Sequence, residues 1–394
     1  MKKKVVLGWS PVLIVAMLAM GCPENGQLPE EEERDVEGDI SEEDPYVDDR
    51  VDGEGEPCRL YDRSGPYPVG VVDLRLSGGE EVAIFYPAVA STAGEEFGRY
   101  DMRDFLPEGE REKISDEEAP FFEMNAVFDA EISEEGPFPV VLFSHGLGGY
   151  RYQSSQLLGH LASWGFVVAS AEQPERNLAK IVENLAPEGD ETAETMRTVL
   201  AYLGEQNGES GSWLEGRLDI SRVGVSGHSM GGGGTASMLG EPGVRAAIFY
   251  ASGREVTENH GAEVMWQSGS TDSLARTNQV RTVYENAPAT KRFLDIKSAG
   301  HLAFSDLCAI GADRGGVLQI AVDNGIEVPP IIMVLGADGC RETDLPAEDG
   351  WPMIHHYSVA HYRSAFGIDQ EPVGLSAATT ACFEELAELE WAEE

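Results

Sequence analysis

A serine framed by glycines is the residue of this chain best suited to chemistry. Gly227-His228-Ser229-Met230-Gly231 follows a short apolar run and precedes a stretch of small residues, so the sequence predicts a strand, a tight turn and a helix. This is the context of the G-x-S-x-G nucleophile elbow. The turn strains the serine backbone and leaves room only for small residues two positions away on either side. We therefore predict Ser229 as a nucleophile.

A serine hydroxyl needs a base that takes its proton, and the base needs a carboxylate that orients it. In the architecture that carries this elbow, the chain order is Ser, then Asp or Glu, then His. Asp272 directly follows a predicted strand that ends near Gln267, and His301 directly follows the next strand, which ends near Ile296. Since the carboxyl ends of parallel strands gather at one edge of a sheet, we predict Asp272 as the acid and His301 as the base.

Other acids and histidines fit these roles less well. Asp295 lies inside a predicted strand and Asp306 follows the histidine, so both are weaker candidates for the acid. We interpret His145 and His228, which border the site in sequence, as structural. The remaining competitors for the base lie in a polar loop or on a predicted terminal helix: His260, His355, His356 and His361.

The oxyanion of an acyl-transfer reaction needs two backbone N–H donors. One comes from the residue after the nucleophile, which here is Met230. The other comes from a glycine-rich loop after an earlier strand, and residues 144–149 follow a buried strand in that position. We predict Leu147 as the second donor.

Apolar runs that alternate with helical stretches indicate the fold. Residues 69–76 and 81–86 predict an antiparallel hairpin. Continuous apolar strands then alternate with helices, which indicates a parallel sheet covered on both faces. With the elbow, this pattern predicts an α/β-hydrolase fold: a mostly parallel central sheet, helices on both faces and an antiparallel N-terminal hairpin. The predicted strands are 139–144, 166–171, 222–226, 244–250, 263–267 and 292–296, and the predicted helices between them are 152–164, 192–206 and 274–286.

Two segments interrupt this alternation and are predicted as insertions. Residues 88–136 are polar, acidic and broken by prolines. Residues 302–352 contain apolar pieces, several glycines and two cysteines, and we interpret them as a lid or cap segment held by a disulfide. Closing helices are predicted at 354–366 and 379–391.

The N-terminal region predicts export. Residues 1–21 have a basic start, a short apolar core and small residues before a cleavage point, as in a lipoprotein signal peptide. Cys22 would then be the lipidated first residue of the mature chain; ordinary cleavage nearby, with Cys22 discarded, is the alternative. Residues 22–57 are acidic and poor in apolar residues, which predicts a disordered tether. The hydrolase domain is expected at 58–394, in a bacterial cell-envelope lipoprotein facing the periplasm or the exterior.

Charge and cysteines narrow the possible partners. The formal net charge is −42 at pH 7, which argues against nucleic acid and polyanionic substrates. Four cysteines follow Cys22, and after export they allow three disulfide connectivities. We expect Cys308–Cys340 and Cys58–Cys382. Their spacing lacks the C-x-x-C pairs expected of zinc.

Several motifs resemble two related α/β-hydrolase groups. The residues that carry the resemblance are Phe143-Ser144-His145-Gly146-Leu147-Gly148, the segment from Leu161 to Val168, and the elbow with its four-glycine extension to Gly234. One group comprises the platelet-activating factor acetylhydrolases and dienelactone-hydrolase-like esterases, and the other the bacterial cutinases and polyester hydrolases. The resemblance covers roughly 137–304, with a weaker echo in 354–366. It implies the same five site residues.

Two departures from these groups concern the substrate. The polyester hydrolases carry a tryptophan shortly after the strand that follows the elbow, whereas this chain has Tyr250-Ala251-Ser252-Gly253-Arg254. This places polyester activity in doubt. The long segment after His301 exceeds the compact cutinase pattern. A serine rather than a cysteine at the elbow argues against dienelactone hydrolysis.

Together these observations predict an exported serine hydrolase that cleaves carboxylic esters through an acyl-enzyme, with small or medium acyl groups favoured. Lipase, phospholipase A2-type and polyester hydrolase activities are alternatives within this class. A catalytically silent surface-binding lipoprotein and an exopeptidase are the alternatives outside it. The predicted chemistry requires no cofactor and no metal. We expect a monomer that meets a small-molecule or lipid ester substrate, and a membrane through its lipid anchor.

Overall fold

The computed structural model describes residues 59–187, 189 and 191–394, which fold around a ten-stranded sheet. The predicted signal peptide, Cys22, the acidic tether and Cys58 lie outside the described residues. The strands are β1 (Val69–Arg75), β2 (Glu81–Pro87), β3 (Arg99–Asp101), β4 (Phe121–Glu123), β5 (Val127–Phe128), β6 (Phe138–Ser144), β7 (Val167–Ala171), β8 (Leu218–His228), β9 (Val244–Tyr250), β10 (Glu263–Gly269), β11 (Lys291–Ile296) and β12 (Leu389–Glu393).

The sheet has the order β12-β11-β10-β9-β8-β6-β7-β2-β1-β5. Every pairing from β7 across to β11 is parallel. The hairpin of β1 and β2 adds to β7 in antiparallel orientation, and β12 closes the opposite edge antiparallel to β11. The predicted α/β-hydrolase sheet and its N-terminal hairpin are therefore confirmed. A separate two-stranded sheet pairs β3 with β4.

Helices cover both faces of the sheet, because successive side chains of its central strands point to opposite faces and are buried on each. One face packs its apolar side chains against α2 (Ser155–Ser163) and α9 (Ala347–Ala365), and the other packs against α4 (Thr192–Gly208) and α6 (Thr277–Asn286). The helices are α1 (Glu108–Arg111), α2 (Ser155–Ser163), α3 (Leu178–Val182), α4 (Thr192–Gly208), α5 (Gly232–Ser237), α6 (Thr277–Asn286), α7 (Gly316–Asp323), α8 (Pro330–Leu335) and α9 (Ala347–Ala365).

The two predicted insertions contain short elements of their own. The segment 88–136 holds β3, β4, β5 and α1, and β5 pairs in parallel with β1. The segment 302–352 holds α7, α8 and the first turn of α9. A disulfide joins Cys308 to Cys340 within it, as predicted. Cys382 is also in a disulfide, but its predicted partner Cys58 lies outside the described residues, so that pairing stays a prediction.

The predicted closing helix at 379–391 is wrong. Ala378–Phe383 forms a 3-10 helix, and the chain then extends as β12 along β11. The Ala, Glu and Leu content of this segment favours a helix locally. However, β11 offers an edge whose backbone groups need partners, and pairing with that edge outweighs the local preference. Within the part of the chain that the structure describes, no helix has the length and apolar character needed to cross a membrane.

Candidate active site

The elbow forms where the sequence predicts it. The strand β8 ends at His228, a 3-10 turn covers Ser229–Gly231, and α5 follows. Ser229 has a φ of 53°, a left-handed conformation that is strained for a serine. A Cβ atom on Gly227 would overlap the carbonyl group of Gly231, and one on Gly231 would overlap the carbonyl oxygen of Ser144. Glycine at both positions is therefore required by close backbone contact.

Asp272 and His301 meet at the carboxyl ends of β10 and β11. The Nδ1 atom of His301 lies 2.9 Å from Oδ2 of Asp272, and it must donate because the carboxylate can only accept. The other oxygen, Oδ1, accepts from the backbone N–H groups of Leu274 and Ala275, each at 2.8 Å. Both side chains of the pair are buried. The arrangement fixes the tautomer of His301 and leaves its Nε2 atom available as a base.

Ser229 and His301 line the same cavity. Among the described residues no hydrogen bond joins the Ser229 hydroxyl to His301. Such bonds are often long or poorly aligned before substrate binds. The structure thus brings the predicted acid and base into direct contact and places the predicted nucleophile beside them.

The loop of the predicted oxyanion donors lies against the elbow. A Cβ atom on Gly146 would come within 3.1 Å of the Cβ atom of Ser229. Leu147 and Met230 both line the cavity that Ser229 opens into. Neither of their N–H groups donates to a described backbone acceptor outside regular elements. Met230 lies in the first turn after β8, where helical N–H groups lack internal partners. The structure therefore places both residues predicted as donors beside the predicted nucleophile.

Arg176 holds the Leu147 loop in place, a role that the sequence reasoning missed. Its guanidinium is buried and donates to the carbonyl oxygen of His145 and to the hydroxyl of Ser144, both at 2.9 Å. Its own carbonyl oxygen accepts from the N–H of Gly148 at 2.8 Å. The contacts surround Leu147 on both sides in sequence, so the loop conformation depends on this arginine.

The histidines that border the site in sequence are fully engaged in hydrogen bonds. His228 donates from Nε2 to the carbonyl oxygen of His301 at 2.9 Å and accepts at Nδ1 from the Gln153 amide at 3.0 Å. His145 donates from Nδ1 to the carbonyl oxygen of Gly146 and accepts the N–H of Gln173 at Nε2. Both rings are therefore structural, as interpreted from the sequence.

Burial keeps these two rings neutral. It lowers the pKa of His145 to about 3, with a further contribution from the charge of Arg176. It also lowers the pKa of His228 to about 3, with a further contribution from His301. A neutral His228 can donate to the carbonyl of His301 and accept from Gln153 at the same time. The ring therefore supports the backbone of the predicted base.

The two weaker candidates for the acid have other partners. Asp295 accepts from the hydroxyl of Thr277 at 2.9 Å and forms an ion pair with Lys297 at 2.8 Å. Asp306 accepts from the N–H and hydroxyl of Ser155, at 2.8 and 2.6 Å, and so caps the N-terminus of α2. Burial raises the pKa of Asp306 to about 7, although these hydrogen bonds oppose the shift.

Asp338 joins the loops that carry the acid and the base, and the sequence offered no signal for it. Its Oδ1 atom accepts from the N–H of His301 at 3.0 Å, and Oδ2 accepts from the N–H of Ser273 at 3.0 Å and from the Ser273 hydroxyl. Its carbonyl oxygen accepts from the N–H of Leu302. Burial acts to raise the pKa of Asp338, but the Ser273 and His301 hydrogen bonds outweigh it, and the pKa is lowered. The neighbouring Cys308–Cys340 disulfide ties this segment to the chain after His301.

Two cavities meet at Ser229. One is a partly enclosed cavity of about 300 Å³, bounded largely by aliphatic side chains from both insertions. The other is an open, more polar cleft of about 970 Å³, to which residues 251–255 and α6 contribute. Ser229, Met230, Leu274 and His301 line both. Among the described residues, no group of three or more His, Cys, Asp or Glu side chains is arranged to hold a metal ion.

Comparisons with known proteins agree with this fold. Residues 139–312 match the model of a family described as PET hydrolase-like. Cutinase 2 of Thermobifida cellulosilytica is 27% identical over 183 residues, which cover 43% of this chain and 63% of that protein. The platelet-activating factor acetylhydrolase of Cavia porcellus is 29% identical over 140 residues, which cover 26% of this chain and 32% of that protein. The chain thus spans less than two thirds of the length of these curated relatives.

A solved structure gives the same fold over most of the chain. The ferulic acid esterase from Streptomyces cinnamoneus superposes with a TM-score of 0.59 and 21% identity, covering 83% of this chain and 97% of that one. The fold and the elbow are those of an α/β-hydrolase. Over part of its length, the chain is similar in sequence to cutinases and to the PET hydrolase-like family.

Proposed function

We propose that this protein is an exported carboxylic ester hydrolase that works through an acyl-enzyme. The observation that carries the proposal is the hydrogen bond from His301 to Asp272 beside a left-handed Ser229 in one cavity. These are the three chemical roles of a serine hydrolase in the chain order typical of this fold. The ester-hydrolysing names of the relatives support the same class of reaction.

In the proposed reaction, Ser229 Oγ attacks the ester carbonyl carbon while His301 Nε2 accepts the hydroxyl proton. The carbonyl oxygen becomes an oxyanion and receives hydrogen bonds from the N–H groups of Leu147 and Met230. The bond to the alcohol oxygen then breaks, and His301 gives its proton to the departing alcohol. Water repeats the sequence on the acyl-enzyme and releases the acid and Ser229. Asp272 stays ionised and stabilises the positively charged ring of His301.

The location is part of the proposal. The signal-like residues 1–21, the cysteine at position 22 and the acidic segment 22–57 support a lipoprotein whose hydrolase domain is held off a membrane surface. We propose that the domain acts as a monomer. Radiolabelled palmitate incorporation in a bacterial host, with Cys22→Ser as the control, tests the anchor independently of the enzymology.

A fluorophosphonate probe tests the chemistry, because it reacts only with an activated serine. We expect the wild type to be labelled and to hydrolyse nitrophenyl acetate, and Ser229→Ala to lose both. Ser221→Ala is the control: Ser221 lies near the start of β8, at the opposite end of the strand from Ser229, and its hydroxyl donates to Asp219. An unlabelled wild type would overturn the enzymatic proposal, and labelling that survives Ser229→Ala would overturn the assignment of the nucleophile.

A further inference from the structure

The enclosed cavity beside Ser229 offers a hydrocarbon surface and little else. Four of its lining side chains are polar, and all of them lie at the candidate active site: Ser229, His301 and the hydrogen-bonded pair of Gln153 and His228. Among the residues that line it, none is Asp, Glu, Lys or Arg, and none is Phe, Tyr or Trp. A ligand group that enters this cavity therefore meets no charge and no aromatic ring. An uncharged aliphatic chain is the chemistry that such a wall accommodates.

The walls come largely from the two insertions. Met102, Leu106 and Ile114 contribute from the first insertion, and Ile320 of α7 and Ile332 of α8 contribute from the second. All five residues lie outside the range 139–312 that matches the PET hydrolase-like family. Much of the cavity wall therefore comes from segments outside the residues that match that family.

The cleft on the other side of Ser229 has a different character. It is open to solvent and includes the charged side chains of Arg254 and Glu255 and the amides of Asn278 and Gln279. Water must reach the acyl-enzyme after the alcohol leaves. An open cleft allows the alcohol to depart and water to enter by the same route. The more enclosed, aliphatic cavity suits the apolar group that stays bound to Ser229.

We propose that the enclosed cavity binds the acyl chain, and that the substrates are esters of medium-chain aliphatic acids with polar alcohols. This inference rests on the proposed ester hydrolysis. A cavity of about 300 Å³ lies at the lower end of the range of small-molecule sites and accommodates a chain of medium length. We expect acyl chains on the order of ten carbons to fit it best.

The same walls disfavour aromatic acyl groups. Aromatic rings gain from offset or edge-to-face contact with other rings, and the lining residues supply none. The tryptophan that the polyester hydrolases carry after the strand beyond the elbow is also missing, and residues 251–254 line the polar cleft instead. This chain is thus expected to differ in acyl specificity from relatives named for aromatic esters.

A series of nitrophenyl esters measures the acyl specificity of the wild type. The series runs from acetyl to tetradecanoyl and includes the benzoyl ester. Burying one methylene group contributes up to roughly fourfold in kcat/KM, so we expect octanoyl or decanoyl esters to exceed acetyl by at least about tenfold. The benzoyl ester should fall below octanoyl. Equal or higher kcat/KM for acetyl or benzoyl than for octanoyl would overturn the inference.

Two neighbouring residues of α7 provide a matched pair of variants. Ala321 lines the cavity and packs against the cluster of Ile114, Ile320 and Ile326, whereas Val322 is 48% exposed on the outer side. Ala321→Trp should lower the decanoyl-to-acetyl ratio of kcat/KM by at least about tenfold, because the indole occupies the space of the chain. Val322→Trp should keep the wild-type ratio. An unchanged ratio in a folded Ala321→Trp would overturn the inference.

The design separates this inference from the proposed function. A wild type that is neither labelled by the fluorophosphonate nor able to hydrolyse any of the esters would refute the proposed function itself. Labelling at Ser229 with no preference for aliphatic chain length would remove only the acyl cavity. If Ala321→Trp does not fold, inactivation of the wild type by nitrophenyl esters of ethylphosphonate and decylphosphonate gives the same comparison, because the chain bonded to phosphorus takes the place of the acyl chain. Equal rates of inactivation overturn the inference, and faster inactivation by the decylphosphonate supports it.

Discussion

Removing the side chain of Asp338 tests how the acid and the base are held together. In Asp338→Ala the buried N–H of His301 loses its acceptor, and the N–H and hydroxyl of Ser273 lose theirs. An unsatisfied buried N–H costs about 1–3 kcal/mol, and the more exposed Ser273 adds less because water replaces the carboxylate. We expect the free energy of unfolding to fall by about 2–4 kcal/mol.

Asp338→Ala should lower activity by displacing Asp272 and His301, because Asp338 takes no direct part in the reaction. Asp338 binds backbone groups of the two loops that carry Asp272 and His301, and it touches no reacting atom. A shift of about 1 Å in His301 can cost about 10²-fold, so Asp338→Ala should lower kcat/KM for nitrophenyl acetate by about 10- to 100-fold. In Asp338→Asn the amide oxygen still accepts one hydrogen bond, and we expect an intermediate loss.

Asp344 is the matched control for Asp338. It is a buried carboxylate of the same segment, but it accepts from the N–H groups of Gly339 and Arg341 and from neither site loop. Urea unfolding, kcat/KM and the rate of fluorophosphonate labelling would be measured for both alanine variants. Asp344→Ala should lose stability but retain kcat/KM. Equal losses of kcat/KM in the two variants would refute the positioning role, because general loosening of the segment would then explain both.

Two further predictions concern the elbow and a buried acid. Gly231→Ala should abolish hydrolysis, because its methyl group would overlap the Ser144 carbonyl oxygen. Gly208→Ala is the control: no atom lies near the added methyl group, so this variant should retain the wild-type kcat/KM. An active Gly231→Ala would contradict the required close contact. Asp306, with its pKa raised to about 7 in the folded state, binds its proton more tightly there than in the unfolded chain. The stabilisation that the protonated Asp306 gives the folded state is therefore fully present below the pKa of Asp306 in the unfolded chain. It is lost as the pH rises through about 7, the pKa of Asp306 in the folded state. From pH 5 to pH 8 the wild type should lose about 2–3 kcal/mol of unfolding free energy relative to Asp306→Asn. A difference between the two proteins that stays constant with pH would contradict the raised pKa.

Local patterns were sufficient to predict the fold class and the elbow. Alternating apolar strands and helices predicted the parallel sheet, and the confirmed hairpin followed from two β-branched runs around a glycine turn. The elbow at Ser229 was predictable because its tight turn requires glycine two positions away on either side, a pattern that can be read from five residues. The contact between Asp272 and His301 was predictable because both directly follow strands, and parallel strands bring their carboxyl ends to one edge.

Local sequence patterns could not predict segments whose conformation or role depends on residues far away in the chain. Residues 389–393 extend along β11 although their composition favours a helix. Arg176 and Asp338 lie in stretches without a recognisable motif. Each matters because the fold brings it to backbone groups of a distant loop: Arg176 reaches the loop after β6, and Asp338 reaches the loops after β10 and β11.

The sequence by itself determined the order of the elements, the glycine-framed turn at Ser229 and the candidates for acid and base, because these follow from short-range sterics and from the periodicity of apolar residues. Only the tertiary structure decided which acid His301 contacts, what supports the two loops, and that both insertions enclose an aliphatic cavity beside Ser229. The physical reason is that a hydrogen bond or a cavity wall depends on the positions of groups far apart in the chain, and those positions arise only when the whole core packs.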